Sequence, residues 1–110
     1  MSSLRTRLLR VAAVTGMTAA MALVPATAAQ AAANGDYTAD GVRIRTCANT
    51  SCTVLGLGYH GQGAYITCFR YGEKLGNNSI WYNHRNKTTG VTGFSHSSLM
   101  NYNSGSVPRC

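Results

Sequence analysis

The stretch VRIRTCANTSCTVLG, residues 42–56, decides the fold class of this chain. Apolar Val42 and Ile44 alternate with two arginines, which is the period of a strand with one buried face. The polar segment 48–51 interrupts this pattern, and a second apolar run begins at Thr53. A strand, a loop bracketed by two cysteines and a second strand are typical of a small β-barrel.

The same criteria predict three more strands downstream. Glycine-rich turns separate them, because glycine tolerates the positive φ angles that tight turns need. Segment 34–40 is interpreted as a polar lead-in and segment 70–78 as a loop. The predicted strands are residues 41–46, 53–57, 64–69, 79–85 and 91–95, with one helical turn at 96–100. Short strands at this spacing favour an all-β barrel of five to six strands.

The N-terminus has the composition of a targeting segment. Three arginines precede the apolar segment 11–24, and Pro25 and small residues follow. Segments 26–28 and 29–31 both match a small-x-small cleavage site, and cleavage after Ala31, to within a few residues, is preferred. A membrane anchor is the alternative, but the apolar run is shorter than the ~20 residues that a bilayer span needs. We therefore expect a signal peptide at 1–31, a secreted domain at 32–110 and no membrane association after cleavage.

The expected mature chain is basic. Without the three N-terminal arginines, seven Lys and Arg face three Asp and Glu, which leaves a formal charge of +4. Such a charge favours anionic surfaces, among them cell-wall polymers, nucleic acid and acidic lipid. A role in solubility alone is the alternative.

All four cysteines lie in the expected mature part. An even number of cysteines in an exported chain of this size indicates two disulfides, and three pairings are possible. Cys47–Cys52 is preferred because a turn between strands brings these residues close, and Cys68–Cys110 follows by elimination. A zinc site is a weak alternative, since the spacing of the cysteines is not that of common zinc ligands.

Five segments in order resemble the bacterial SH3 (SH3b) family. These are VRIR at 42–45, CANTS at 47–51, VLG at 54–56, the Trp81-Tyr82 pair and GFSHSSLM at 93–100. The chain is most similar to the short, disulfide-bearing SH3b-like proteins exported by actinobacteria. The resemblance implies a small SH3-like barrel and, most often, attachment to peptidoglycan.

The chain departs from the family pattern at several positions. Ala48 replaces a proline of the loop, and Gly58 stands where an apolar residue is common. Phe94 replaces tryptophan, Ser95 replaces an aliphatic residue, and His84 or Arg85 takes an apolar position after the Trp-Tyr pair. These departures mean that the ligand site of the family cannot be transferred directly to this chain. Binding residues are therefore predicted from the side chains of this chain.

The sequence shows no pattern typical of a catalytic or metal site. His60, His84 and His96 are scattered along the chain without metal-ligand spacing. Asp40 and Glu73 are the carboxylates that an acid/base pair would use, but nothing in the pattern brings them together. We expect no enzymatic activity, no metal and no cofactor.

Aromatic residues are the better candidates for binding. Tyrosine and tryptophan present a flat apolar face with a polar group, which suits sugars and short peptides. Trp81 and Tyr82 must point to opposite faces of one strand, so one of them is expected in the core. A surface groove is one expectation for Trp81, and a core position is the alternative. The predicted ligand-binding residues are Arg45, Tyr59, Tyr71, Trp81 and Tyr82.

Three functions follow as hypotheses. The first is a secreted, monomeric, non-enzymatic module that binds cell-wall glycan or stem peptide. The second is a small secreted inhibitor or effector that presents its Cys47–Cys52 loop to another extracellular protein. The third is a small nuclease or wall hydrolase. Under the first hypothesis, nucleic acid is not an expected partner.

Overall fold

The computed structural model describes residues 32–110, which form an all-β structure, as the sequence predicts. The predicted signal peptide, residues 1–31, lies outside the described residues. Residues 32–110 contain one 3₁₀ turn, Ser97–Leu99, and seven strands. The strands are β1 Ala33–Tyr37, β2 Val42–Arg45, β3 Val54–Gly58, β4 Ala64–Leu75, β5 Asn78–Asn86, β6 Thr92–His96 and β7 Met100–Gly105.

The strands form one curled antiparallel sheet, a half-barrel with the order β3-β2-β6-β5-β4-β1-β7. Strands β2 to β6 correspond to the five predicted strands. Strands β1 and β7, the first and the last in the chain, were not predicted, so the sheet has seven strands instead of five to six. In β1 only Ala33 and Tyr37 are buried, and in β7 only Met100. Neither strand therefore carries the alternation by which a half-buried strand is detected.

Strand β4 is longer than the sequence predicts. It continues to Leu75 through residues interpreted as a loop, and the β4–β5 turn is confined to Gly76 and Asn77. Gly72 lies inside the strand because the backbone and side chain of Ala48 occupy the place of a Cβ atom. Gly72, which suggested a loop in the sequence, is thus required in the strand because Ala48 packs directly against its backbone.

The main core lies on one side of the sheet, here called the inner face. Its buried residues come from four strands, β1, β2, β4 and β7: Ala33, Tyr37, Val42, Ile44, Ala64, Ile66 and Met100. The ring of Tyr37 fills the space where a Cβ of Gly58 would stand. No side chain is therefore needed at Gly58, because Tyr37 already fills the volume there.

A second, smaller cluster lies on the opposite, outer face and contains Ala48, Trp81 and Phe94. Trp81 is only 2% exposed, and its indole Nε1 donates a hydrogen bond to the Glu73 carbonyl at 2.9 Å. This burial overturns the expectation that Trp81 lines a surface groove and supports the alternative, a core position. Tyr82, the next residue, faces the inner core, as the alternation of side chains along a strand requires.

Two disulfides hold the sheet. Cys47–Cys52 closes the loop between β2 and β3, with a Cα–Cα distance of 5.7 Å. Cys68–Cys110 ties the C-terminus to β4, with a Cα–Cα distance of 4.9 Å. This is the pairing preferred from the sequence, and no described cysteine is free.

Candidate functional site: an exposed aromatic row

The inner face continues beyond its core into a row of partly exposed aromatic side chains. The rings of Phe69 and Tyr71 meet edge to face at 5.5 Å, and those of Tyr82 and Tyr102 at 6.2 Å. Phe69 and Tyr82 are direct cross-strand partners on β4 and β5, which joins the two pairs. We call these four residues the aromatic row.

The row is graded from partly buried to open. Tyr82 packs against the main core, whereas Tyr71 is 54% exposed and Tyr102 is 42% exposed. The inner residues fix the position of the row, and the outer tyrosines present ring surface and hydroxyl groups to solvent. Burial, followed by the neighbouring Tyr102, raises the pKa of Tyr82. Its hydroxyl is protonated at neutral pH, as a phenol is without this shift, and is able to donate a hydrogen bond.

The C-terminal segment adds a positive charge at the end of the row. Phe69 N donates to Pro108 O at 2.9 Å, and Cys110 N donates to Phe69 O at 2.8 Å. Together with the disulfide at Cys110, these bonds place the Arg109 guanidinium 5.0 Å from the centre of the Tyr71 ring. A cation held on a ring in this way keeps its N–H edges available for a carboxylate.

The structure brings two of the five predicted binding residues together, Tyr71 and Tyr82. Tyr59 is 42% exposed, but it lies in the loop between β3 and β4. Arg45 is half-buried and donates from Nη1 to Thr50 O at 2.8 Å and to Cys52 O at 3.1 Å. It braces the disulfide loop instead of standing free beside the row.

Phe69, Tyr102 and Arg109 belong to this site and were missed as binding candidates. The two-residue spacing of Phe69 and Tyr71 places them on one strand face, and this signal was present in the sequence. Tyr102 and Arg109 depend on the pairing of β7 and of the C-terminus, for which the sequence pattern gives no signal.

The carboxylates hold loops in place. Asp36 accepts hydrogen bonds from the backbone N–H groups of Tyr37, Gly61 and Gly63. Burial acts in the opposite direction, but these bonds prevail and lower the pKa of Asp36. Asp40 accepts from His60 N at 3.2 Å and so serves the same β3–β4 loop.

Glu73 serves the other loop. Its Oε1 accepts from Thr50 Oγ1 at 2.6 Å and from Thr50 N at 2.7 Å, and these two bonds lower the pKa of Glu73. The carboxylates considered for an acid/base pair, Asp40 and Glu73, are therefore engaged with two different loops.

The histidines are likewise engaged separately. His96 Nδ1 lies 2.7 Å from Ser98 Oγ, and its Nε2 lies 2.9 Å from Asn78 O. His84 is fully buried, and its Nδ1 lies 3.1 Å from Tyr82 O. Across residues 32–110, no three His, Cys, Asp or Glu residues are grouped so as to hold a metal ion.

Comparison with known proteins does not extend these observations. A scan against protein-family models, a search of curated proteins and a search of solved structures each gave no match to this chain. Within the described part of the chain, no helix has the length and hydropathy of a membrane span. The site is therefore interpreted from its own geometry.

Proposed function

We propose that this chain is a secreted, non-enzymatic, SH3b-like module that binds the peptidoglycan of the cell wall. The observation that carries the proposal is the aromatic row, in which Tyr71, Phe69, Tyr82 and Tyr102 present a continuous ring surface. Exposed aromatic side chains at fixed spacing are uncommon without a binding role, because they leave apolar area in water.

The chemistry of the row suits a wall glycan. Sugar rings have apolar C–H faces that pack on aromatic rings, and their hydroxyls exchange hydrogen bonds with tyrosine. Arg109, at the Tyr71 end, supplies a guanidinium for a carboxylate of the stem peptide or of an acidic sugar. One surface thus offers stacking and charge recognition side by side.

Two further features support an extracellular location. The described chain carries two disulfides, which persist in oxidising compartments. The N-terminal composition is that of a signal peptide. A module of this size, with its carboxylates engaged in loop contacts, is suited to binding rather than to acid/base chemistry.

Sedimentation with purified peptidoglycan tests the proposal. We expect the chain from residue 32 to Cys110 to co-sediment with the polymer, and Tyr71→Ala and Tyr102→Ala each to weaken binding several-fold. Loss of one stacking contact is worth about 0.5–1.5 kcal/mol, or roughly two- to twelvefold in affinity. Tyr59→Ala is the matched control, because Tyr59 is as exposed as Tyr102, both at 42%, but lies outside the row.

Retention of the unmodified protein in the supernatant would refute wall binding. Equal weakening by Tyr59→Ala and Tyr102→Ala would show that the aromatic row is not the binding surface. Near-ultraviolet circular dichroism of each variant separates lost contacts from lost folding.

A second function, docking on another extracellular protein, is favoured by edge strand β3. Its apolar side chains Val54, Leu55 and Leu57 are 41%, 49% and 40% exposed, and one edge of the strand is unpaired within the described sheet. Exposed strand edges accept a strand from a partner. Affinity capture from culture medium tests this function: a stoichiometric partner that Leu55→Lys releases, and Tyr102→Ala does not, would favour docking over wall binding.

A further inference from the structure

The outer face of the sheet carries four exposed cationic side chains. Arg43, Arg70 and Arg85 lie on β2, β4 and β5, and Lys87 follows β5 directly. Cross-strand register places them on one face: Arg70 pairs with the outer-face residue Trp81, and Arg85 lies four residues further along β5. Arg43 lies two residues before Arg45, which pairs with the outer-face residue Phe94.

These four cations have no acidic partner among residues 32–110. The ion pair found there joins His60 to Asp36 at 3.8 Å, on a different part of the molecule. The three carboxylates of the described chain accept hydrogen bonds from the β3–β4 loop and the disulfide loop. None of the four cations is therefore held in an ion pair, and their attraction for anions is not reduced by such a partner.

The aromatic rings of this face are already covered by cations. Lys87 Nζ lies 4.7 Å from the centre of the Tyr65 ring, and Arg70 Cζ lies 5.4 Å from that of Phe94. These contacts hold the cations in position while leaving their N–H groups available. They also occupy one face of each ring, which leaves less ring surface on which nucleic-acid bases could stack.

We propose that the outer face is a second binding site, distinct from the aromatic row, for a linear polymer of phosphodiester-linked alcohols. Arg85 lies four residues along β5 from Trp81, the cross-strand partner of Arg70, and at about 3.3 Å per residue this separates Arg70 from Arg85 by roughly 13 Å. That distance fits several successive phosphates of an extended chain. Arginine binds a phosphate through two N–H groups, and the cations already held on Phe94 and Tyr65 favour a polymer without bases.

Binding of purified poly(glycerol phosphate) tests this site, measured by titration calorimetry with the chain from residue 32 to Cys110. Four phosphate contacts predict a loss of affinity of roughly a hundredfold between 50 and 300 mM NaCl. Arg85→Gln and Arg70→Gln should each weaken binding several-fold and flatten the slope of log affinity against log salt by roughly 0.7.

Lys74→Gln is the matched control. It removes the same charge from an exposed position near the tip of the β4–β5 hairpin. We expect this variant to bind the polymer with an affinity within about twofold of the unmodified protein, because salt screens exposed charges that do not contact the ligand. Trp81 fluorescence verifies that each variant is folded.

Three results would overturn the proposal. They are no measurable binding at 50 mM NaCl, equal weakening by Lys74→Gln and Arg85→Gln, and equally tight binding of an oligothymidylate with the same number of phosphates. The last result would identify nucleic acid as the ligand class. Because the polymer contains no peptidoglycan, failure here leaves the sedimentation result of the aromatic row unaffected.

Discussion

His84 places a titratable ring where water does not reach. It is fully buried, and its ring meets Tyr37 edge to face at 5.5 Å. Nδ1 lies 3.1 Å from Tyr82 O, but Nε2 has no hydrogen-bond partner among the described residues. A second proton on this ring would therefore be buried without an acceptor, and burial lowers the pKa of His84 to about 4.

This shift makes stability depend on pH in a defined window. The unfolded chain binds the proton near pH 6.5, whereas the folded chain binds it only near pH 4. The free energy of unfolding is thus unaffected by His84 above about pH 7.5 and decreases as the pH falls from 6.5 to 4, by about 3 kcal/mol in all. Urea unfolding followed by Trp81 fluorescence at pH 7.5, 5.5 and 4.5 measures the decrease.

His84→Gln, which does not titrate, is the control for this decrease. Asp36 and Glu73 also have lowered pKa values, so they too destabilise the fold on acidification, but mainly as the pH falls below their ordinary pKa values of 3.8 and 4.5, at and below the acid end of the His84 window. The variant is expected to be less stable at pH 7.5 and to lose most of the dependence between pH 6.5 and 4.5. An unchanged dependence would show that His84 is not its source.

At the scale of elements, the sequence predicts the strands that bury alternate side chains. Strand β2 is the clearest case, because Val42 and Ile44 are buried between arginines. Strand β7 could not be predicted in this way, because it is held by backbone pairing with β1 and buries Met100 alone. The alternation of apolar and polar residues reveals strands that bury one face. It does not reveal strands that are held in the sheet mainly by backbone hydrogen bonds.

The candidate site was predictable only in part for the same reason. Aromatic character marked Tyr71 and Tyr82 as binding residues, but it marked Trp81 equally. The disulfide loop determines which side of β5 remains open. Its residue Ala48 packs on Trp81 and buries that side of the strand. The register of β7 and the C-terminus, which adds Tyr102 and Arg109, is likewise set by tertiary packing.

The disulfide loop acts as the cover of the outer cluster. Glu73 N donates to Ala48 O at 3.0 Å, and Glu73 Oε1 accepts from Thr50. Replacing Cys47 and Cys52 together by alanine is expected to loosen this cover and to cost about 2 kcal/mol, by the entropy of a short loop. Because Trp81 is the sole tryptophan, its emission should shift to longer wavelength and its quenching by acrylamide should increase.

The paired replacement Cys68→Ala with Cys110→Ala is the control for this effect, since it leaves the cover intact. It should leave the emission wavelength of the folded protein unchanged. If the Cys47/Cys52 variant instead retains the emission and quenching of the unmodified protein, then the hydrogen bonds of Glu73 hold the loop without the disulfide.

At the scale of the whole described domain, residues 32–110, most of the exposed cations and most of the exposed aromatic rings lie on opposite faces of the sheet. The inner face ends in the aromatic row, and the outer face carries arginines and Lys87. The carboxylates are engaged with the β3–β4 loop and the disulfide loop. Under the two proposals, one small sheet would contact a glycan and an anionic polymer at the same time, and linked contacts of this kind raise the overall affinity for a mixed polymer network.

The second disulfide couples the stability of the whole sheet to its inner site. Cys68–Cys110 closes a sequence separation of 42 residues, against 5 for Cys47–Cys52. The chain-entropy account therefore predicts a loss of about 4 kcal/mol on replacing both of its cysteines by alanine, about twice that of the short loop. Urea unfolding of the two paired variants measures this difference directly.

The same variant links stability to binding, because the disulfide also anchors the segment that carries Arg109 above Tyr71. Under conditions where both paired variants remain folded, the Cys68/Cys110 variant is expected to bind peptidoglycan more weakly, whereas the Cys47/Cys52 variant keeps its affinity. Equal affinities would mean that the C-terminal segment contributes to stability alone. A stronger loss of stability in the Cys47/Cys52 variant would instead show that strain or residual structure, and not loop length, governs the two crosslinks.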